Sequence, residues 1–217
     1  MKKEGINISD QVRFFEISAA VITGLGKLLF FDVLNMHLVY IILACTFWIS
    51  YLIYKNNQNK GILKYWGFTR SNFKHSFLKL LPYAIVSVIA FIVYGWVYDT
   101  LILNWHILII LLVYPLWGVI QQFLVVGLVA GNLNDQNKIP ISKPLIILIT
   151  ACLFSIIHYP FTLLIFATFI LAIVYSIEYL KERNLWVLGI YHGWLGCFFY
   201  YFVLNRDPFN EVFGMIQ

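Results

Sequence analysis

The chain has 217 residues, of which 61% are hydrophobic and 12% charged, with a formal net charge of +5. Soluble domains carry about 25% charged and about 45–50% apolar residues, so this composition excludes a soluble globular domain. The basic residues gather in short loops rather than along a stripe with interleaved aromatics, so the expected partner is a lipid bilayer and not a nucleic acid.

Apolar runs of about 20 residues, each enough to cross a ~30 Å hydrocarbon core as a helix, recur along the whole chain. The sequence predicts an all-α, polytopic transmembrane helical bundle of about seven membrane helices, forming a single integral membrane domain over residues 1–217. The first helix, about 12–31, carries Arg13, Glu16 and Lys27 and is expected to lie partly in the membrane interface. These charges also break any signal-peptide pattern, so no cleavable leader is expected. The second helix is about 36–54, and the third about 77–98 with Pro82 near its start. The fourth runs from about 101 to 130 and is expected to tilt or kink at Pro115. The fifth covers about 144–158 and the sixth about 161–180, separated by Pro160. The seventh is about 185–204.

Loop charge sets the expected orientation. Residues 55–76 contain Lys55, Lys60, Lys64, Arg70 and Lys74 without any Asp or Glu, which places that loop in the cytoplasm of a cell-membrane protein. Alternation then puts Lys2, Lys3, the 132–143 loop and the 181–183 turn inside, and the 205–217 tail outside. Cys45, Cys152 and Cys197 fall within apolar runs without zinc-binding or CxxC spacing, and are read as small buried hydrophobes.

Polar groups inside hydrocarbon are costly, so those that remain are informative. Gln121 and Gln122 in the fourth helix, His158 at the end of the fifth and His192 in the seventh are the candidate site residues. At ~1.5 Å per residue from the cytoplasmic ends, Gln122 lies about 12 Å deep, His158 about 21 Å and His192 about 10 Å. With ordinary tilts they are expected to line one cavity. Each also has a plainer reading. The Gln pair can bond across helices as packing glue, His158 can sit at the interface, and His192 can be a structural residue beside Gly193 and Gly196. His37, His75 and His106 lie at helix ends or in loops. No acid orients Ser155 and His158 as a nucleophile pair, and two histidines make a poor zinc site. No metal or cofactor is expected.

Three segments carry a family resemblance: the stretch from Gln121-Gln122 to Val126-Gly127, then Phe154-Ser-Ile-Ile-His158, then Asn184-Leu-Trp followed by His192-Gly-Trp-Leu-Gly196. In order and spacing, over about residues 117–200, they resemble the CPBP (CAAX protease and bacteriocin-processing, or Abi) intramembrane proteases. That family's pattern is Glu-Glu-x-x-x-Arg, Phe-x-x-x-His and His-x-x-x-Asn. The resemblance implies an intramembrane endopeptidase scaffold in which a carboxylate activates water, supported by histidines and an asparagine. Here both carboxylates are the amides Gln121 and Gln122, the arginine position is Val126 and the asparagine position is Gly196.

An amide cannot take a proton near neutral pH, and general-base catalysis is worth about 10²–10⁴-fold. The expectation is therefore a CPBP-like scaffold engaging membrane-tethered or hydrophobic peptides, with weak or absent proteolysis. Any residual activity would come from a histidine-activated water. Two alternatives stand beside it: a catalytically silent binding, immunity or maturation factor, and a small transporter subunit.

Overall fold

In the computed structural model, Ile6 and residues 8–214 are described. Lys2, Lys3 and the end of the expected outer tail, residues 215–217, lie outside them. The helices are α1 (Asp10–Lys27), α2 (His37–Gln58), α3 (Ile62–Trp66), α4 (Phe73–Val97), α5 (His106–Gln122), α6 (Gly131–Asp135), α7 (Lys143–Ile156), α8 (Thr162–Lys181), α9 (Leu185–Phe202) and α10 (Pro208–Phe213). The described residues contain no strand. Two helices continue as wider π-helical turns, α1 into Leu28–Val33 and α5 into Phe123–Ala130. Among the described residues, five spans are long and apolar enough to cross a membrane: Asp10–Val33, His37–Gln58, Phe73–Val97, His106–Asp135 and Thr162–Lys181. With the shorter apolar α7 and α9, they account for the seven segments expected from the sequence.

Boundaries moved for local reasons. The fourth segment begins at His106 rather than near 101, because the Asn104 side chain accepts from the His106 backbone N–H at 3.1 Å and starts the helix there. It runs on to Asp135 because the π-helical stretch keeps the chain helical past Ala130. The fifth stops at Ile156, which leaves His158 in the turn that follows. Of the three cysteines, Cys197 is buried and Cys45 half-buried, whereas Cys152 is exposed on α7. An apolar residue on an outer helix face is stable against lipid, so that exposure carries no penalty.

The chain forms two compact units, Met1–Thr69 with Gln122–Leu185, and Arg70–Gln121 with Trp186–Gln217. In the first, α7 and α8 form a helical hairpin around Ala151, Phe154 and Ala172, with Val125, Ile157, Phe169 and Ile173 against them. Hydroxyls on this hairpin bond back to their own helix, Thr150 to Ile146 O at 2.8 Å and Thr168 to Leu164 O at 2.7 Å. Polar side chains thus enter an apolar interior already satisfied. Trp48, Trp66 and Phe68 pack their rings around Phe123. Gly67 ends α3 at φ 103°, and a Cβ there would lie 3.0 Å from the Arg183 backbone carbon. Its carbonyl accepts from Leu185 N–H at 2.9 Å, at the start of α9.

Two of the charges of α1 are buried inside the protein. Arg13 and Glu16 are each 4% exposed and sit in a polar network. Asn132 bridges them, accepting from Arg13 at 3.0 Å and donating to Glu16 at 2.7 Å. Tyr51 donates to the other Glu16 oxygen at 2.5 Å. Arg13 also donates to the Tyr65 hydroxyl at 2.8 Å, which donates to Asp135 at 2.5 Å, and Asp135 pairs with Arg183 at 2.6 Å. Burial first, and then Asp135, raise the Tyr65 phenol above its ordinary pKa, so it remains an O–H donor at neutral pH.

In the second unit, Ile110, Cys197, Tyr201 and Phe202 form a core with Phe91, Ile107, Leu111 and Tyr114 packed against it. Asp207 caps α10 and accepts from Asn104 at 3.0 Å, His106 Nδ1 at 2.6 Å and Tyr201 at 2.6 Å.

Candidate functional site

Helices α5 and α9 meet at their backbones, and glycines make this possible. A Cβ on Gly118 would lie 2.4 Å from the Gly189 carbonyl oxygen, one on Gly189 2.4 Å from Val119 Cα, and one on Gly193 2.5 Å from the Pro115 nitrogen. Gly189 and Gly193 are four residues apart on one face of α9, a small-residue stripe of the kind that lets membrane helices approach closely.

Pro115 adds a second tie. Lacking an N–H, it leaves the carbonyl four residues earlier, that of Leu111, without its helical donor. The Trp194 indole N–H donates to that oxygen at 3.2 Å. A freed carbonyl inside hydrocarbon needs a partner, and α9 provides one.

This crossing places His192, beside Gly193, against the last turn of α5. His192 Nε2 lies 2.8 Å from Gln121 Oε1. An amide oxygen only accepts, so Nε2 carries the proton and His192 is the donor. Two of the sequence-predicted site residues therefore meet directly. His192 is 9% exposed, so the bond is sheltered from water.

The other two lie in the first unit. Gln122 points about 100° around the helix from its neighbour and is 1% exposed, and its buried side-chain Nε2 has no hydrogen-bond acceptor. It immediately precedes the π-helical turn Phe123–Ala130, where Gly131 N–H bonds to Val126 O five residues back. Such turns recur at functional sites.

His158 stands in the turn after α7. Its Nδ1 lies 2.7 Å from the Phe154 carbonyl, and the Phe154 ring packs edge-on at 4.8 Å. A carbonyl only accepts, so Nδ1 carries the proton and Nε2 keeps its lone pair. The two histidines thus hold opposite tautomers. His158 offers a lone pair on Nε2, whereas His192 uses Nε2 as a donor to Gln121.

Glu16, read from the sequence only as a charge on the first helix, is the carboxylate nearest the Gln122 stretch in the polar network. Glu16 sits against Asn132, ten residues beyond Gln122, which is roughly 12–15 Å along the helix. Its oxygens are occupied by Tyr51 and Asn132. It braces α1 and makes no contact with Gln121 or Gln122 among its hydrogen bonds. A signal for it was present: Arg13 with Glu16, and Asn132 with Asp135, are both i, i+3 pairs on single helix faces. Among the described residues no group of three or more His, Cys, Asp or Glu could hold a metal ion.

Residues 102–198, the stretch containing all three motifs, match the family model described as type II CAAX prenyl endopeptidase Rce1-like, consistent with the CPBP resemblance. No curated protein and no solved structure matches the chain.

Proposed function

We propose that this protein is a CPBP-type intramembrane scaffold that binds membrane-associated peptides and hydrolyses them weakly or not at all. The observation that carries the reading is the Gln121–His192 hydrogen bond at 2.8 Å. It joins the position of a family carboxylate to a family histidine, with an amide where the proton acceptor would stand. Glutamine has the shape of glutamate, so recognition by the surrounding walls survives the exchange while proton abstraction does not. The missing base alone accounts for a loss of about 10²–10⁴-fold.

If hydrolysis persists, it proceeds through His158, whose Nε2 lone pair takes the proton of an attacking water. Gln122 donates from its otherwise unused Nε2 to the scissile carbonyl. The proton then passes from His158 to the leaving amine as the C–N bond breaks. The orientation that goes with this reading has the N-terminus and the 55–76 loop on the cytoplasmic side.

The test is a reconstituted cleavage and binding assay on membrane-anchored peptides, with native protein beside a Gln121→Glu, Gln122→Glu double variant. Binding by both, with cleavage confined to the variant, is the expected result. Robust cleavage by native protein that disappears in His158→Ala or His192→Ala overturns the reading and assigns a histidine-based protease.

A further inference from the structure

We infer that Lys27 is a positioning residue: from the end of α1 it holds the turn carrying His158 and thereby fixes which ring nitrogen of that histidine stays unprotonated. The inference rests on the reading of His158 as a site residue. It begins from a feature that reading does not use, the π-helical continuation of α1.

Lys27 and Asp32 are five residues apart. On an α-helix of 3.6 residues per turn they would point about 140° away from each other. The i→i+5 bonding of Leu28–Val33, seen in Leu34 N–H donating to Leu29 O at 3.0 Å, widens the turn and brings both side chains to one side. Lys27 Nζ lies 3.1 Å from Asp32 Oδ2 and donates at 3.2 Å to the backbone carbonyl of Tyr159.

The pairing itself explains little. Both side chains are partly exposed, 19% and 33%, and ion pairs at exposed sites are worth about 0–1 kcal/mol. The third contact is the consequential one. Because α7 ends at Ile156, no helical ladder holds residues 157–161. Their turn is closed by His158 N–H to Ser155 O at 3.0 Å, Tyr159 N–H to Ile156 O at 3.1 Å and Phe161 N–H to His158 O at 3.1 Å.

Lys27 reaches into that turn from another helix, and Asp32 aims it. Just upstream, a Cβ on Gly24 would lie 3.3 Å from Ile157 Cγ2, so α1 also backs the turn sterically. With the Tyr159 carbonyl held and Ile157 backed, the His158 ring stays within reach of the Phe154 carbonyl, 2.7 Å from Nδ1. That bond fixes the Nδ1–H tautomer and leaves Nε2 as the lone-pair nitrogen.

The test uses full-length protein in detergent micelles with ¹⁵N-labelled histidine, the ring-nitrogen signals of His158 being assigned by their loss in His158→Gln. Native protein is expected to show the Nδ1–H tautomer. In Lys27→Met the ratio shifts toward Nε2–H by roughly three- to tenfold, the size expected when one hydrogen bond is lost. Lys27→Arg restores the native signal. A folded Lys27→Met with an unchanged His158 signal overturns the inference.

Should Lys27→Met not fold, acetylation of lysines in the folded native protein supplies the same loss. The His158 signal is then expected to shift in native protein and not in Lys27→Arg, and a shift in neither refutes the idea. Peptide binding by His158→Gln, measured separately, tests the site reading, so either idea fails without the other.

Discussion

Gly189→Ala is the sharpest probe of how the chain brings Gln121 to His192. The added Cβ would lie 2.3 Å from Val119 Cγ2, 2.4 Å from Val119 Cα and 2.6 Å from Val119 N. Two of these three atoms are backbone, so no rotamer change relieves the clash. Carbon atoms rest about 3.5–4.0 Å apart, so α5 and α9 must separate locally by about 1 Å. Overpacking of this kind costs about 1–3 kcal/mol. A 1 Å separation also stretches the 2.8 Å Gln121–His192 contact past hydrogen-bonding range, adding about 0.6 kcal/mol by the average for membrane helices. The expected loss is about 2–4 kcal/mol. Gly196→Ala is the matched control, because its Cβ would meet only Tyr114 Cδ2 at 4.0 Å. Alanine is favoured over glycine in a helix by about 1 kcal/mol, so Gly196→Ala should match or slightly exceed native stability. Equilibrium unfolding in mixed detergent micelles, followed by far-ultraviolet circular dichroism, separates the two. If Gly189→Ala unfolds at the native midpoint, close backbone contact does not set this crossing.

Asn132→Leu removes the amide that bridges Arg13 to Glu16 and leaves two buried charges short of partners. It should destabilise the protein by on the order of 3 kcal/mol, and Glu16→Gln, which keeps the hydrogen-bonding shape but leaves buried Arg13 without its neighbouring anion, should cost a similar amount; both are read in the same unfolding assay. Acid should loosen the Asp207 cap. Burial pushes the Asp207 carboxyl up, but the bonds from Tyr201, His106, Asn104 and the Asn210 backbone outweigh it, and its pKa lies below the ordinary 3.8. A depressed carboxylate pKa stabilises the fold above the ordinary value, and that contribution is lost as pH falls through the folded value. Hydrogen exchange in Pro208–Phe213 should therefore quicken below about pH 4, and Asp207→Asn should remove that pH dependence.

The membrane helices were legible because one signal, apolar runs long enough to cross a bilayer, dominates everything else in such a chain. Their ends were less legible, since they depend on single side chains. Asn104 delays α5, and the turn after Ile156 takes His158 out of its helix. The π-helical turns leave no periodic mark in a run as uniformly apolar as Phe-Leu-Val-Val-Gly-Leu-Val-Ala, so the reach of α5 to Asp135 and the placement of Asp32 on Lys27 needed coordinates. The Gln121–His192 contact was half-legible. Both residues stood out as polar groups in hydrocarbon, and the glycines beside His192 hinted at a close crossing. Which of two adjacent glutamines faces the histidine turns on a 100° difference in helix phase, and depth estimates do not resolve that.

The distribution of buried charge ties these observations together. A Glu pair followed by an arginine, as in the resembling family, offsets part of its buried negative charge, and losing the arginine alone would strand both acids in a low-dielectric interior at a cost of several kcal/mol. In this chain the corresponding positions are all uncharged: Gln121 and Gln122 align with the acids of that pattern, and Val126, completely buried in the π-helical stretch, aligns with its arginine. Among the described residues, buried charge sits where it joins segments: Arg13 and Glu16 through Asn132, and Asp135 on Arg183. Substituting a glutamate at Gln121 or Gln122 therefore buries an acid on a stretch of helix that holds no cation. The double Glu variant of the cleavage assay should accordingly be examined with Val126→Arg added, because the restored acids then have a cation one turn away on the same helix.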